Sequence, residues 1–432
     1  MQFIGNQLKD IKAEGKYITI GNVTKWFKFK VLFFSLDSLS ASYLLGLKSS
    51  FNHTYCCRFC DIKRPDFSKC FYQNETLLRT SQSFKTRYNE SILINESVFG
   101  ISRPCLLDFF PVDDISTMCQ PCFAHDILEG IGPKIFRFCL TQLKDTAMID
   151  IQRLEPFLNS FPLKGNDKLK FPKLFLDNIS SNRFVAYECF ELFRFLPFIL
   201  KEQNLCEDDN YFKLLLLLSQ IILYVMKIRF TADDLIFLDN LIASFLELCS
   251  SICPTLVTIK FHHLVHYSSY IIRYGPPRLF STLSFEQLHS DLKTLLRSSK
   301  NWKNQCLTIS KKYARMRAIN PSEQFLNYNN EFEVTVPEFL NECENVKGVE
   351  SVEYFNFTYK KNTVIEFSRS NLNLKFMEIK QLFRSDNKLY FQGDIFEGFY
   401  NPEFNFVELN YLNTNGNVDF DTVIKNPCTY IK

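Results

Sequence analysis

The 432-residue sequence contains no glycine-rich phosphate loop, no nucleophile elbow and no internal repeat. The first absence removes the usual signature of nucleotide-binding proteins, whose loops need glycine where the backbone approaches phosphate. The absence of a nucleophile elbow removes the signature of the α/β-hydrolases. The absence of an internal repeat argues against solenoids and propellers. Any functional site is therefore expected to consist of residues that are separate in the sequence and that the fold brings together.

The sequence also lacks the features of a secreted or membrane-spanning protein. Its first residues, MQFIGNQLKDIKAEGK, show no charged-then-apolar signal pattern. The longest apolar run, residues 211–226, is interrupted by Lys213, Ser219 and Gln220, so a buried helix is favoured over a membrane span. The 15 cysteines are odd in number and widely spread, which favours reduced thiols over a disulfide framework. We therefore expect a protein that is not secreted.

Composition indicates a folded chain of two or three domains. Hydrophobic residues make up 46% of the sequence and charged residues 22%, so sizeable cores can form. The net charge of +3 and the pI of about 8.1 are only mildly basic and do not by themselves indicate a nucleic-acid-binding protein.

Periodicity predicts a mixed α/β chain. A helix over residues 2–15 should end at Gly15, and a β-rich run over 27–36 leads to Asp37. Asp37 has two interpretations: a functional acid at a strand end, or the cap of the next helix. Further helices are predicted near residues 134–143, 150–161, 183–201, 211–228 and 232–251, the last opened by a capping box of Thr231 and Asp234.

The C-terminal region changes period after about residue 322. Short β-rich runs separated by Asn, Asp, Lys and Gly predict a compact antiparallel barrel or sheet of five to seven strands. No catalytic constellation is found among them. A protein-interaction or accessory DNA-binding module is the role that this region favours.

Two separate motifs have the spacing of metal ligands. Cys57 and Cys60 form a CxxC, whose short turn lets two thiolates bind one zinc ion, and buried free thiols are the alternative. His262 and His266 lie four residues apart, so on a helix both imidazoles point the same way. His263 is the rival for the first histidine position, and His262 is favoured because it keeps the helical spacing. The pair needs two further ligands from elsewhere in the chain.

A second CxxC, Cys119 and Cys122, lies close to His125, Asp126 and Glu129. One interpretation is a separate metal site. The favoured interpretation is that a helix begins at Asp126 and that His125 packs or forms a hydrogen bond inside the protein.

An acidic residue, Glu286, follows His266 by 20 positions and is flanked by Phe285 and Leu288. A carboxylate in apolar surroundings is costly unless it is paired, hydrogen-bonded or bound to a metal. Three basic residues lie seven, eleven and fourteen positions beyond it, on the same face if the helix continues: Lys293, Arg297 and Lys300. They are candidates for contacts with a phosphate backbone, and an ordinary solvated face is the alternative.

The order of these motifs resembles the catalytic core of cut-and-paste transposases of the CACTA (EnSpm) and Chapaev kind, and more distantly that of the V(D)J recombinase catalytic subunit. The stretches QPCFAHDILEG, KFHHLVHY, RYGPPRLFSTLSFEQLH and KNWKNQCLTISKKYA look like those of transposon-derived animal proteins. The resemblance covers about residues 1–320, and the combined spacing is more specific than any single motif.

The resemblance implies an RNase H-like core in which three acids, Asp, Asp and Glu, hold two divalent metal ions for strand transfer. Asp37 matches the second acid and Glu286 the third. The zinc ligands of the family match the following four residues and imply a closed, structural site: Cys57, Cys60, His262 and His266. The first acid of the family has no counterpart before Asp37, so we expect an N-terminally truncated core without transposase activity. Binding of Mg²⁺ or Mn²⁺ is expected only if the enzyme is catalytically competent.

Two alternatives differ from this expectation. The chain can be a fragment of an active metal-dependent transposase or nuclease whose first acid lies in a missing upstream exon. A zinc hydrolase that uses His262 and His266 is disfavoured, because the HxxxH lacks the adjacent glutamate of zinc proteases.

The expected organisation combines the motifs with the resemblance. We predict a remnant of the RNase H-like core over 1–55, a zinc segment over 56–103, a helical insertion over 104–275, the Glu286 helix with its basic extension over 276–321, and a β-rich domain over 322–432. DNA is the expected partner, a homo-oligomer is an open possibility, no membrane is expected, and the nucleus is favoured over the cytoplasm.

Overall fold

The computed structural model describes most of the chain between Gln2 and Ile431. Residues outside the description are 1, 21–22, 29, 111–112, 147, 161–173, 175–177, 202–208, 228, 298–303, 320–326, 342, 355–356, 370–373, 386–387, 402–405, 420–429 and 432. The chain divides into two compact units, Met1–Leu288 and His289–Lys432. The first is largely helical and the second contains a large sheet, so the mixed α/β class is confirmed.

The first unit begins with a helix and a hairpin. Helix α1 covers Gln2–Glu14, and strands β1 (Lys16–Ile20) and β2 (Val23–Phe27) pair in antiparallel fashion. Gly15 separates the helix from the hairpin at φ +69°, and a Cβ there would lie 2.4 Å from the Trp26 ring. The predicted helix end at Gly15 is confirmed, because only glycine fits both the left-handed backbone and the close ring.

The predicted strand over residues 27–36 is wrong. Strand β2 ends at Phe27, and the described residues between it and Asp37 form one isolated bridge, between Phe34 and Cys119. The aromatic residues that suggested a strand pack in different directions instead: Phe33 contacts Tyr274, with ring centroids 5.2 Å apart, and Phe34 contacts Phe110 at 4.9 Å. Aromatic residues favour strands only where a pleated, half-buried surface receives them.

Two helices, each followed by a long connection with short 3-10 turns, lead to the helical region. Helix α2 covers Ser38–Leu44 and α3 covers Ser81–Ile94. A π-helix, Ala124–Ile131, then continues directly into the long helical part of the first unit. The helices of that part are α4 (Gly132–Asp145), α5 (Ile151–Ser160), α6 (Ala186–Lys201), α7 (Asn210–Val225), α8 (Ala232–Ile252), α9 (Ile259–His263) and α10 (Tyr267–Tyr274).

The five predicted helices between residues 134 and 251 correspond to α4 to α8 and are confirmed within about three residues at each end. The predicted capping box is also present, since the Thr231 side chain accepts from the Asp234 amide and the Asp234 side chain accepts from the Thr231 amide. Helix α8 is long and apolar enough to cross a membrane by length and composition. Its buried face, including Leu238 and Phe245, is that of a core helix.

Two further helices follow, α11 (Leu283–Arg297) and α12 (Gln305–Ile319), and then an eight-stranded sheet. Its strands are β3 (Asn327–Phe332), β4 (Lys347–Tyr354), β5 (Phe357–Lys360), β6 (Val364–Arg369), β7 (Leu374–Ser385), β8 (Lys388–Asn401), β9 (Phe406–Asp419) and β10 (Tyr430–Ile431). The main path runs β10-β9-β8-β7-β4-β3, while β5 pairs with β4 and β6 with β7. The antiparallel C-terminal sheet is thus confirmed, with one strand more than predicted and a parallel β10.

Candidate metal centre

Four cysteine and histidine side chains from two distant segments converge in the first unit. Cys57 and Cys60 lie in the turn that precedes a 3-10 helix, Arg64–Lys69. His262 lies on α9, and His266 ends the 3-10 turn that joins α9 to α10. All four residues are buried, with at most 4% of their surface exposed. The structure therefore brings together the CxxC and the HxxxH, as the sequence predicted.

The ligand atoms of the cluster are close enough to share one ion. All four lie within 4.8 Å of one another. The Cys60 Sγ is 3.1 Å from His262 Nε2, the Cys57 Sγ is 3.7 Å from His266 Nε2, and the two Nε2 atoms are 3.4 Å apart. Tetrahedral zinc with metal–ligand bonds of about 2.0–2.3 Å separates adjacent ligand atoms by roughly 3.3–3.8 Å. The donor set and its spacing thus fit a metal ion such as zinc.

A buried arginine holds the CxxC turn in place. Arg79 Nε donates to the carbonyl oxygens of Cys57, at 3.0 Å, and Cys60, at 3.2 Å. The Phe59 amide lies 3.4 Å from the Cys57 sulfur and can donate to it. Arg79 also forms an ion pair with Asp61 at 3.3 Å, so its charge is compensated inside the protein. The turn is therefore held by contacts other than those of the four candidate ligands with an ion.

Neighbouring side chains orient the two imidazoles. His266 Nδ1 lies 2.7 Å from the Gln73 side-chain oxygen, so that nitrogen donates its proton and leaves Nε2 free for a metal. The Gln73 amide nitrogen donates to Glu75 at 2.6 Å, which fixes which way the Gln73 amide faces. The His262 ring stacks on Phe67, with centroids 4.6 Å apart and planes within 3°. Each ring is thus held by at least one specific neighbour.

The electrostatics of the cluster prepare it for a cation. Burial tends to raise the pKa of Cys57, but the Cys60 hydrogen bond and His262 outweigh it and bring the pKa well below its usual range. The interaction with Cys57 raises the pKa of Cys60. Burial lowers the pKa of His266 to about 4, so its imidazole is neutral at physiological pH. These shifts favour one thiolate and one neutral imidazole in the cluster, and metal binding would displace the second thiol proton.

His263, the alternative to His262 as a metal ligand, has a different partner. His263 Nδ1 lies 3.2 Å from both carboxylate oxygens of Asp126, and both residues are fully buried. Asp126 also accepts from the Ser38 hydroxyl at 3.2 Å, and Arg58 donates to Ser38 at 3.0 Å. Burial lowers the pKa of His263, but Asp126 outweighs it and raises that pKa. The choice of His262 over His263 agrees with the geometry.

Helix α9 also contacts the π-helix on its other side. Lys260 donates to the His125 carbonyl at 2.6 Å. The lysine stem crosses the π-helix at Gly130, where a Cβ would lie 2.4 Å from Lys260 Cδ. Glycine at this position permits the close approach of the two segments. One short helix therefore presents His262 to the metal cluster and Lys260 to the π-helix.

The second CxxC does not form an equivalent cluster. Cys119 packs among buried apolar side chains, and burial raises its pKa to about 12. Cys122 lies 3.3 Å from His125 Nδ1, in the segment that opens the π-helix. Within the residues that the structure describes, the Cys57 cluster is the only group of three or more His, Cys, Asp or Glu side chains whose ligand atoms converge. The separate-metal interpretation of Cys119 and Cys122 gains no support there.

The two predicted acids lie in different settings. Asp37 is the N-cap of α2, and its carboxylate accepts from the Ser40 amide at 2.6 Å, as the capping interpretation expected. Glu286 lies in the first turn of α11 with 52% of its side chain exposed, and its Oε1 is 3.5 Å from His125 Nε2. The expected apolar setting of Glu286 is not found, because the adjacent Phe285 is itself 58% exposed. The catalytic roles of both acids stay predictions.

The contact between His125 and Glu286 was not predicted. Thr282 belongs to the same group, since its hydroxyl lies 3.0 Å from the Cys122 sulfur and 3.2 Å from His125 Nδ1. A local signal was present in the Cys-x-x-His spacing of Cys122 and His125. Nothing in the sequence, however, indicates that residues about 160 positions later complete the group.

The described candidate DNA-binding residues belong to the second unit, which begins within α11. Lys293 and Arg297 are exposed on α11, four residues apart and hence on one face. Lys300 lies outside the described residues. Lys311 and Arg315 repeat the same spacing on α12 and are also exposed.

No protein-family model matches the chain, and no curated protein matches it significantly. The resemblance to cut-and-paste transposases therefore depends on the motifs and their order in this sequence. The geometry described above adds one fact to it: the CxxC and the HxxxH meet in a buried cluster that can hold a metal ion.

Proposed function

We propose that the chain is a transposase-derived, DNA-binding protein whose first unit is held together by a structural zinc ion. The observation that carries this proposal is the convergence of four buried ligands: Cys57, Cys60, His262 and His266. The two thiolates neutralise the charge of Zn²⁺, so the buried site carries no net charge.

A structural role follows from the closed arrangement. Catalytic zinc keeps one position for water or substrate, whereas this cluster supplies four protein ligands that are nearly inaccessible to solvent. The site also joins segments on either side of the long helical region, α4 to α8. Such a closure ties a large insertion to the chain that precedes it, which is the role that the transposase resemblance implies for the four ligands.

DNA binding is supported by the exposed basic residues of α11 and α12. Lys293 with Arg297 and Lys311 with Arg315 are two pairs at helical spacing that can follow successive phosphates. Binding through phosphate contacts is insensitive to sequence and weakens steeply with salt.

We propose no strand transfer by this chain alone. Asp37 uses its carboxylate to cap α2, and Glu286 contacts His125. Within the described residues, neither acid belongs to a convergent set of metal ligands. An assay for cleavage of labelled DNA in the presence of Mn²⁺ checks this part of the proposal, and metal-dependent nicking by the purified chain would favour the alternative of an active transposase fragment.

Fluorescence anisotropy with a labelled duplex at several salt concentrations tests DNA binding. The plot of log affinity against log salt has a negative slope. The double variant Lys293→Ala and Arg297→Ala should make that slope shallower by about two, since each lost phosphate contact reduces its magnitude by about one. The matched control, Lys69→Ala with Lys85→Ala, removes the same charge from exposed positions of the first unit and should keep the slope. Equal slopes in both double variants would contradict the assignment of these helices to DNA.

A further inference from the structure

The second CxxC belongs to a side-chain cluster that the proposed function does not use. Cys122 Sγ lies 3.3 Å from His125 Nδ1 and 3.0 Å from the Thr282 hydroxyl. On the far side of the ring, His125 Nε2 lies 3.5 Å from Glu286 and 3.8 Å from Glu129. A thiol, an imidazole and a carboxylate therefore follow one another in contact. This is the arrangement in which a base activates a cysteine and a third group orients the base.

Electrostatics agree with this geometry. Burial tends to raise the pKa of Cys122, but the hydrogen bonds from His125 and Thr282 outweigh it and lower the pKa. The hydrogen bond with Cys122 is the main cause that raises the pKa of His125 to about 9, and the carboxylates of Glu129 and Glu286 add to it. Both shifts move the shared proton from the sulfur towards the imidazole, which increases the share of the thiolate, the nucleophilic form of cysteine.

An independent feature lies beside the thiolate. Gln120 is 2% exposed, and neither its side-chain oxygen nor its side-chain nitrogen has a hydrogen-bond partner in the described part of the protein. Gln120 and Cys122 line the same surface crevice, together with Ser35 and Pro277. A buried amide without partners is costly, so a polar group that enters the crevice would gain hydrogen bonds there. The crevice is narrower than a water molecule as it stands, so a group that reaches Gln120 and Cys122 must displace the side chains that line it.

We propose that Cys122 is a site of covalent modification by small, uncharged electrophiles that carry an amide or carbonyl group. The Gln120 amide holds the polar group, and the Cys122 sulfur attacks the electrophilic carbon. With iodoacetamide, the new bond joins sulfur to the methylene carbon while the carbon–iodine bond breaks and iodide leaves. The proton that His125 already holds stays on its ring.

Modification at this position changes the surroundings of Glu286. A thioether carries no negative charge, so His125 loses its closest anionic partner and keeps only the two carboxylates. The added group also occupies the space beside Thr282. The site is thus placed to report on, or to alter, the contact between His125 and Glu286. It depends on neither the zinc ion nor DNA binding.

Alkylation of the full-length, metal-loaded chain by iodoacetamide tests the proposal. The rates at Cys122, Cys119 and Cys306 are read by mass spectrometry of peptides at pH 6.5 and pH 8.0. Cys119 belongs to the same CxxC and serves as the buried control, and Cys306 serves as the exposed reference. An ordinary thiol with a pKa of about 8.5 should slow by about 25-fold over this range, whereas Cys122 should slow by less than about threefold.

Two variants distinguish activation of the Cys122 thiol by His125 from simple access of the reagent to that thiol. His125→Gln should give Cys122 the pH dependence of an ordinary thiol, while Thr282→Val, which keeps the imidazole, should change it much less. Circular dichroism checks that each variant is folded, and the pH profile of the unmutated chain decides the question if His125→Gln does not fold. Alkylation of Cys122 no faster than that of Cys119 at pH 6.5, or a rate that follows pH as an ordinary thiol does, would overturn the proposal.

Discussion

The two CxxC motifs of this chain share a spacing and differ in everything that surrounds them. Cys57 and Cys60 lie in a turn held by Arg79, and two histidines from a segment about 200 residues later complete a four-ligand cluster. Cys119 instead packs in an apolar core, and only Cys122 meets a histidine, which is three residues away. A CxxC becomes a metal site only when another part of the fold supplies the remaining ligands.

The electrostatics of the two motifs differ for the same reason. In the Cys57 cluster, burial keeps His266 neutral, with a pKa of about 4, so the ring can bind a metal. In the Cys122 cluster, the thiolate and two carboxylates keep His125 protonated, with a pKa of about 9. A protonated imidazole is a poor ligand and a good partner for a thiolate. We therefore interpret the first CxxC as structural and the second as reactive.

The largest expected effect is the loss of one zinc ligand. Cys57→Ser should abolish zinc binding and unfold the first unit, because zinc binding to structural sites contributes about 10–16 kcal/mol to folding in zinc-finger peptides. Elemental analysis of the purified protein and thermal unfolding measure both effects. The matched variant Cys119→Ala, in the other CxxC, should keep one zinc ion per chain. Full zinc occupancy in Cys57→Ser would remove the distinction between the motifs.

A smaller effect is expected at the buried pair of His263 and Asp126, which lies outside the proposed metal cluster. Asp126→Asn leaves a buried histidine and Arg58 without their carboxylate, which should cost about 3–5 kcal/mol in the free energy of unfolding. Denaturant unfolding measures the loss, and zinc content should stay at one ion per chain. The control Glu129→Gln changes a partly exposed carboxylate and should cost much less. Loss of zinc from folded Asp126→Asn would mean that the two networks are not separate.

The smallest expected effect concerns the orientation of His266. Gln73→Ala removes the acceptor for Nδ1 and should weaken zinc affinity about 10–100-fold, as changes around metal-bound histidines typically do. Competition with a chromophoric chelator measures the affinity. Gln73→Glu keeps an acceptor at the same place and should retain the affinity of the unmutated chain. If alanine and glutamate behave alike, this residue does not orient the ligand.

Much of the helical region and the metal cluster could be predicted from sequence. Helices α4 to α8 follow a regular apolar period, and their ends carry local signals such as the Thr231 capping box. The histidine spacing selected His262 over His263, although the chain between His262 and His266 is part α-helix and part 3-10 helix. The helices and the histidine spacing depend on residues close together in the sequence, where periodicity and capping carry the information. The pairing of the CxxC with the HxxxH, about 200 residues later, follows instead from the transposase resemblance.

Other features depend on tertiary contacts that no local pattern specifies. The run at 27–36 has the composition of a strand, yet Phe33 and Phe34 pack in separate places and the backbone forms only one bridge. The exposure of Glu286 could not be read from its apolar neighbours, because Phe285 is exposed as well. The group formed by Cys122 and Thr282 joins positions 160 residues apart.

X-ray absorption spectroscopy at the zinc edge of the purified chain identifies the ligand atoms themselves. We expect a four-coordinate shell with two sulfur atoms at about 2.3 Å and two nitrogen atoms at about 2.0–2.1 Å. Cys60→Ser and His262→Ala should each alter that shell or release the ion. A shell dominated by oxygen, or by four sulfur atoms, would contradict the assignment of Cys57, Cys60, His262 and His266 as the ligands.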